Sequence, residues 1–181
     1  MLRSAMQMKD EVVTVQDELS LLQDYAVIQQ YRYGDAFQMR FRLGSENLRE
    51  ARIVKFTLQP LVENAIFHGI DPKKGSSIIE VIVCSEGSDL LVQVLDNGVG
   101  ISPEKLRELS LFAGDVSGGE GNIGLANVHR RIQLEYGENY GLSLTSCEGC
   151  YTSVTMRTPL VFSPHSAAWE RGGDTTAQQP P

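Results

Sequence analysis

Hydrophobic and polar positions repeat along this chain with two different periods, and each period predicts a different kind of element. Residues 14–33 repeat at helical spacing, and Thr14 followed three residues later by Asp17 is typical of a helix start. Residues 37–43 alternate strictly between apolar and polar side chains, which predicts a half-buried strand. Helical spacing returns in residues 58–70, so the first half of the chain predicts helix, strand and helix.

The second half of the chain contains most of the β-rich runs. Residues 76–84 and 89–96 flank a short Ser-Glu-Gly-Ser segment, which predicts a hairpin, and residues 141–147 and 151–158 predict another. A helical pattern over residues 123–136 lies between the two hairpins. Because helices and strands are segregated, we predict an α+β fold, a two-layer sandwich in which helices cover one face of a mixed β-sheet.

Two further segments lack a periodic pattern. Residues 111–121 are rich in glycine, which predicts a mobile loop, and residues 163–181 are polar and rich in proline and glycine, which predicts disorder. Neither segment has the regular apolar positions that would place it in a core.

The overall composition is that of a globular protein, with 41% apolar and 22% charged residues. The net charge is −7 and no basic block is longer than Lys73-Lys74, which argues against a nucleic-acid partner. No apolar run approaches the roughly 20 residues of a membrane span, and no apolar signal segment is present at the N-terminus. We therefore expect a cytoplasmic location, either for a complete protein or for the soluble piece of a longer one.

Three cysteines, Cys84, Cys147 and Cys150, are an odd number without a disulfide framework, which fits a reducing compartment. Cys147 and Cys150 form a C-x-x-C motif, which can indicate zinc or redox chemistry. A structural zinc needs four ligands, and neither a second pair nor a nearby histidine accompanies the motif. We interpret both as residues of a strand turn.

Residues 58–70, "LQPLVENAIFHGI", carry polar side chains on an otherwise apolar helix. At about 100° per residue, Asn64 and His68 lie together on the flank of the apolar face, and Glu63 lies on the far side. A plain surface helix would place lysine and glutamate at these positions. The apolar face itself is formed by Leu58, Leu61, Val62 and Ala65.

A second unusual stretch, "VLDNGVG", ends the predicted strand 89–96. Asn-Gly after a strand usually indicates a hairpin turn. Here the helix start Ser102-Pro103 follows instead of a second strand. Asp96 is therefore predicted at a strand end, where Gly98 and Gly100 allow a backbone or a ligand to come close. A buried carboxylate needs a hydrogen-bond donor, and the exocyclic amine of a base would serve.

A third stretch, "GGEGNIGLANV", leads from glycines into the helix 123–136. Free N–H groups and the helix dipole at such a start favour a phosphate, although a flexible linker has the same composition. The motif lacks the Gly-Lys-Ser/Thr of a Walker A loop, and its position relative to the strands does not fit a Rossmann turn. The candidate phosphate-binding residues are Gly119, Gly121, Asn122, Gly124 and Leu125.

These three stretches together predict one nucleotide site. Asp96 would read adenine, the glycine loop would hold the phosphates, and the polar flank of the helix 58–70 would face Mg-ATP. Mg²⁺ prefers oxygen ligands and takes few from the protein, so the Asn64 amide oxygen suits it, and His68 could reach a phosphate oxygen.

The same stretches resemble the sequence boxes of a known family. "LQPLVENAIFHGI" resembles the N-box, "DNGVGI" the G1 box and "GNIGLANVHRRI" the G2 box of the GHKL ATP-binding domain, the Bergerat fold of histidine kinases, gyrase-type ATPases and related chaperones. With the upstream "ELSLLQDYAVIQQYRYGD", the chain is similar to sensor histidine kinases of the LytS/YesM type from about residue 2 to residue 158. Departures include Asn122, Tyr151 and Phe67.

The resemblance implies roles for individual residues. Asn64 would ligate Mg²⁺, Asp96 would bind the adenine amine, and Gly119–Gly124 would end the ATP lid. Hydrolysing relatives and anti-sigma serine kinases carry a glutamate one turn before the N-box asparagine, where this chain has Pro60, which cannot act as a base. Glu63 is the remaining carboxylate and could orient an incoming histidine, although a solvated charge or a helix salt bridge would explain it too.

The resemblance also implies a domain organisation. Residues 1–35 would end the dimerisation and linker region, 36–160 would form the ATP-binding catalytic domain, and 161–181 would be a disordered tail. The phosphoacceptor histidine would lie on an upstream helical domain, and the full-length protein would be a homodimer that passes phosphate to a response regulator. The alternatives are a non-catalytic nucleotide-binding module and a hydrolysing ATPase.

Overall fold

The elements of the structure begin and end close to the predicted positions. The computed structural model describes residues 12–70, 77–108 and 123–162. In chain order the elements are β1 (Val12–Thr14), α1 (Val15–Tyr33), β2 (Phe37–Leu43), β3 (Arg52–Val54), α2 (Leu58–Asn64), β4 (Ser77–Glu86), β5 (Asp89–Asp96), α3 (Pro103–Glu108), α4 (Ile123–Tyr136), β6 (Gly141–Cys147) and β7 (Tyr151–Pro159). The predictions for residues 111–121 and 163–181 lie outside the described residues.

Five strands form a mixed sheet in the order β2-β4-β5-β7-β6. Strands β2 and β4 are parallel, while β4–β5, β5–β7 and β6–β7 are antiparallel. Both predicted hairpins are present, as β4–β5 and β6–β7. The pairing of β5 with β7 places the first hairpin beside the second, so β5 is the central strand of the sheet.

Helices α1, α2 and α4 pack on one face of this sheet, as the α+β prediction requires. Strand β4 alternates between buried and partly exposed residues along its first eight positions, so one face of it is covered. The buried stripe of α2 and the buried positions of α4 meet that face in a single apolar core. Its members include Ile79, Val81, Val83, Val92, Leu58, Leu61, Val62, Leu125, Val128 and Ile132.

Helix α1 begins as predicted and belongs to the same core. The Thr14 side chain accepts a hydrogen bond from the Asp17 N–H, and the Asp17 carboxylate accepts one from the Thr14 N–H, which completes a capping box. Leu19 and Leu22 of this helix are buried among the residues that cover the sheet. The division after residue 35 stays a prediction. None of the described helices is both long and apolar enough to cross a bilayer.

Two features differ from the prediction. Strands β1 and β3 form a small antiparallel sheet of three residues each, which is too short to show a period in the sequence. The predicted helix 58–70 is α-helical only to Asn64 and continues as one π-helical turn, Ala65–Gly69. Single π turns widen a helix locally and are frequent at functional sites.

Candidate nucleotide-binding site

A cavity of about 520 Å³ lies between α2 and the start of α4. Its lining brings five predicted site residues together, and Pro60 and Phe67 complete the wall. The five are Glu63, Asn64, His68, Gly124 and Leu125. Gly119, Gly121 and Asn122 lie outside the described residues.

The position of Glu63 corrects the prediction made from helical spacing. Helical spacing predicts Asn64 and His68 on one flank of the apolar face and Glu63 on its far side, yet all three line the same cavity. Neighbouring helix positions differ by only about 100°, so a cavity this wide can include both Glu63 and Asn64.

The Glu63 carboxylate is held in place by neighbouring side chains. Its Oε1 accepts a hydrogen bond of 2.9 Å from Nε2 of Gln59, one turn earlier in α2. On α1, burial and then the negative charge of Glu63 raise the pKa of Tyr25 to about 12, so the phenol stays protonated at neutral pH. Glu63 is therefore a partly buried, partnered carboxylate.

Asp96 is buried at the end of β5 with only 2% of its surface exposed. Its Oδ1 accepts a hydrogen bond of 3.0 Å from the Gly98 N–H. Burial raises the pKa of the carboxyl to about 6, although the N–H groups of Gly98 and Thr152 partly oppose this shift. A buried carboxylate with a strongly raised pKa is typical of functional sites.

Three glycines allow close contacts at the turn after β5, and the sequence predicted two of them, Gly98 and Gly100. A Cβ at Gly98 would lie 1.4 Å from the carbonyl oxygen of Gly69, and a Cβ at Gly69 would lie 2.5 Å from Cγ of Asp96. At Gly100 the backbone φ is +65°, and a Cβ would lie 2.0 Å from the Cys147 carbonyl oxygen. These contacts fix the turn after β5 against neighbouring backbone.

Gly69 connects the two groups of candidate residues. It ends the π turn that begins directly after Asn64, and its carbonyl oxygen accepts a hydrogen bond of 3.0 Å from the Val99 N–H. Asp96, Gly98 and Gly100 do not line the cavity described above, but Gly69 packs against the first two of them. The turn after β5 and the cavity wall on α2 are thus joined through backbone contacts.

Comparison with known proteins agrees with this geometry. Residues 50–161 match the family HATPase_c, described as histidine kinase-, DNA gyrase B-, and HSP90-like ATPase. The chain belongs to this family.

Similar curated proteins are sensor histidine kinases. The HATPase_c chain is 37% identical to sensor histidine kinase YpdA of Escherichia coli K12 over 129 residues, which is 71% of this chain and 22% of the relative. It is 31% identical to sensor histidine kinase YesM of Bacillus subtilis over 159 residues, which is 88% of this chain and 26% of the relative. The chain thus spans about a quarter of the length of these relatives.

Solved structures support the predicted fold. The catalytic domain of histidine kinase ThkA matches with a TM-score of 0.59 at 16% identity, over 83% of this chain and 98% of that one. The histidine kinase domain of the Erythrobacter litoralis EL346 blue-light activated kinase matches with a TM-score of 0.54 at 17% identity, over 82% of this chain and 62% of that one. The HATPase_c chain therefore has the fold of a histidine kinase catalytic domain.

Sequence patterns did not reveal every residue that shapes this HATPase_c site. The helical spacing of residues 58–70 predicts a continuous helix through Gly69, although a glycine inside a helical pattern often marks a close backbone approach. Tyr25 follows the helical spacing of residues 14–33, and that pattern gives no sign of its interaction with Glu63. His129 of α4 packs against β6: its Nδ1 accepts a 2.9 Å hydrogen bond from the Leu142 N–H, and burial lowers its pKa.

Replacing Gly98 by alanine is expected to disrupt the turn after β5. The new Cβ would overlap the Gly69 carbonyl oxygen, so the turn has to move, at a cost of at least about 1–3 kcal/mol of unfolding free energy. Gly44→Ala is a matched control, because a Cβ there would lie 3.5 Å from the Val83 carbonyl oxygen in ordinary contact. Urea unfolding of both variants measures the difference, and equal stability would contradict the observed packing.

Asp96 is expected to give nucleotide binding and protein stability opposite pH dependences. Its pKa is about 6 in the fold against an ordinary value of 3.8. The fold therefore holds this proton more tightly than the unfolded chain does. The resulting stability is fully present below about pH 4 and is lost as the pH rises through about 6.

The affinity for adenine nucleotides is expected to rise over about pH 5 to 7, because the ionised carboxylate is the stronger acceptor for an amine. Titrations of the chain with ATP across this range measure the effect. Asp96→Asn should remove the component with a midpoint near pH 6, and an unchanged profile in that variant would assign the pH dependence to another group.

Proposed function

We propose that this chain is the ATP-binding catalytic domain of a sensor histidine kinase, which transfers the γ-phosphate of ATP to a histidine on a helical segment outside the chain. The observation that carries this proposal is the cavity wall on α2, where Glu63, Asn64 and His68 converge opposite the start of α4. The family match and the names of the relatives support it.

The buried Asp96 suits the adenine end of ATP. A carboxylate offers about four acceptor positions, and the N–H groups of Gly98 and Thr152 leave capacity for an exocyclic amine. Guanine presents a carbonyl oxygen where adenine has this amine, so an ionised acceptor favours adenine. Asp96 would thus determine base selectivity.

The residues on α2 suit the phosphate end and a magnesium ion. The Asn64 side chain offers an amide oxygen, a hard donor of the kind that Mg²⁺ accepts beside phosphate oxygens and water. His68, one turn later, is exposed on the same cavity wall and can donate a hydrogen bond to a phosphate oxygen. Bound Mg²⁺ would neutralise phosphate charge during transfer.

Pro60 and Glu63 favour transfer to histidine over hydrolysis. Water is a poor nucleophile and needs a base, but Pro60 occupies the cavity wall one turn before Asn64, where hydrolysing relatives carry a glutamate. A neutral imidazole already has a lone pair. Its nitrogen forms the new bond to phosphorus while the bond to the ADP oxygen breaks, and Glu63 would orient the ring by accepting its other N–H.

The partners of this reaction would all lie outside this chain. We place there the acceptor histidine, the homodimer contact and the membrane anchor of a full-length sensor kinase. A response regulator would accept the phosphoryl group downstream. These assignments rest on the resemblance to sensor histidine kinases, and this chain spans about a quarter of the length of the relatives with that name.

A phosphotransfer assay tests the proposal. The chain is incubated with Mg²⁺ and ATP labelled at the γ-position, together with a helical acceptor domain from a related kinase. Labelling of that domain is expected, and it should fall in Glu63→Gln. Glu104→Gln on the exposed start of α3 is a matched control that should transfer normally. ATP binding without transfer would instead indicate a nucleotide-binding module, and release of phosphate to water would indicate an ATPase.

A further inference from the structure

Glu18 of α1 is a buried carboxylate whose partners lie almost 40 residues further along the chain. Only 2% of its surface is exposed. Its two oxygens accept hydrogen bonds from the backbone N–H groups of Phe56 at 2.7 Å, Thr57 at 3.1 Å and Leu58 at 3.1 Å. These three residues form the entry to α2, so a side chain of α1 caps the helix that lines the cavity.

Helix α2 depends on this cap from outside. The first N–H groups of a helix have no partner within it. Thr57 at the N-cap position makes no capping bond, because its hydroxyl donates to the Val54 carbonyl oxygen at 2.7 Å instead. Phe56, just before it, has a φ of +58°, a conformation that non-glycine residues keep only where the surroundings enforce it. The Glu18 carboxylate thus holds an otherwise unfavourable helix start.

The capped end lies close to the functional end of the same helix. Glu63 and Asn64 follow Leu58 by five and six residues within α2, so a shift of the helix start moves both side chains. Tyr25, two turns after Glu18 on α1, faces the Glu63 carboxylate, whose charge contributes to its raised pKa. Helix α1 therefore meets α2 at its start and again beside the cavity.

We propose that Glu18 is a positioning residue that couples α1 to the nucleotide-binding side chains of α2, so that the placement of α1 sets the affinity for Mg-ATP. A carboxylate that accepts three N–H groups transmits a displacement of α1 to the start of α2, because breaking those bonds leaves buried donors without acceptors. The inference rests on the proposed function, since it assumes that Asn64 and its neighbours hold the nucleotide.

Two variants of α1 separate this role from a general loss of stability. In Glu18→Gln the amide keeps a single acceptor oxygen, and its NH₂ group faces the backbone N–H groups at the start of α2. The dissociation constant for Mg-ATP should therefore rise about 10-fold or more. Asp17→Ala removes the capping box of α1, whose bonds join Asp17 only to Thr14, and leaves the entry to α2 intact. It should lower the melting temperature while the dissociation constant stays within about twofold of the unmodified chain.

Calorimetric titration with Mg-ATP well below the melting temperature measures these constants. Equal affinity in Glu18→Gln and the unmodified chain would overturn the coupling while leaving the proposed function intact. If the unmodified chain does not bind Mg-ATP at all, the proposed function fails, and the inference fails with it.

Hydrogen exchange in the unmodified chain tests the coupling without any substitution. Coupling free energy is reciprocal, so Mg-ATP should slow the exchange of the Phe56, Thr57 and Leu58 amides if these groups and the nucleotide site are linked. This measurement tests the coupling between the start of α2 and the nucleotide site even if Glu18→Gln fails to fold. Unchanged exchange of these three amides in the presence of bound nucleotide would overturn the inference.

Discussion

Asp96→Asn is expected to weaken the binding of adenine nucleotides by about 10-fold or more. The substitution places an amide at the position where we propose that an acceptor faces the adenine amine, and an unpaired buried donor costs about 1–3 kcal/mol. The effect should be large because Asp96 is buried at the end of β5 between Gly69 and Gly98, so water cannot readily replace the lost acceptor.

Asp89→Asn provides a control on the same strand. Asp89 is also buried, but it lies at the opposite end of β5 and pairs with Arg157 on β7. The control should lower stability and leave ATP affinity unchanged, as measured by titration at a temperature where both variants are folded. If the unmodified chain binds ATP and GTP equally well, Asp96 does not recognise the adenine base.

The isolated chain is expected to bind Mg-ATP with a large gain in thermal stability and without turnover. Ligand at about 100 times its dissociation constant adds roughly 2.7 kcal/mol to the free energy of unfolding. For a domain of this size the melting temperature should rise by about 5–11 °C. We expect no turnover because Pro60 on the cavity wall cannot act as a base, and because the acceptor histidine is proposed to lie outside this chain.

Thermal shift and phosphate release on one preparation test this expectation. The shift should require Mg²⁺ and should shrink in Asn64→Ala, because that variant lacks the amide oxygen proposed to ligate the ion. Ser102→Ala, at the exposed start of α3, should keep it. Steady phosphate release would favour a hydrolysing ATPase, and the absence of any shift at millimolar ATP would contradict nucleotide binding.

The local elements were predictable because their causes are local. The capping box of Thr14 and Asp17, the alternation in 37–43 and the apolar stripe of α2 each involve residues within a few positions of one another. The polar residues on α2 and the Asp-Asn-Gly turn after β5 were also visible, because polar groups and glycines interrupt an apolar pattern there. Their resemblance to known boxes indicated the family.

The connections between these elements were not predictable from such patterns. Three features depend on how the layers pack. They are the order of the strands, the pairing of β1 with β3, and the position of Glu63 in the same cavity as Asn64. The π turn after Asn64 had no separate signal, since its sequence continues the helical spacing. The reason for a glycine at its end, Gly69, is visible only in the folded chain, where Asp96 and Gly98 pack against that residue.

The sequence by itself determined the helices, the hairpins and the chemical groups of the site, because hydrophobic period, capping and turn chemistry act over a few residues. The tertiary structure alone decided how those groups are held. In the sequence Glu18 is one of several charged residues of α1, yet in the structure it caps α2 some 40 residues away, and Asp96 acquires a pKa of about 6 only through burial. Burial and long-range hydrogen bonds arise when distant segments share a core, and no local pattern records them.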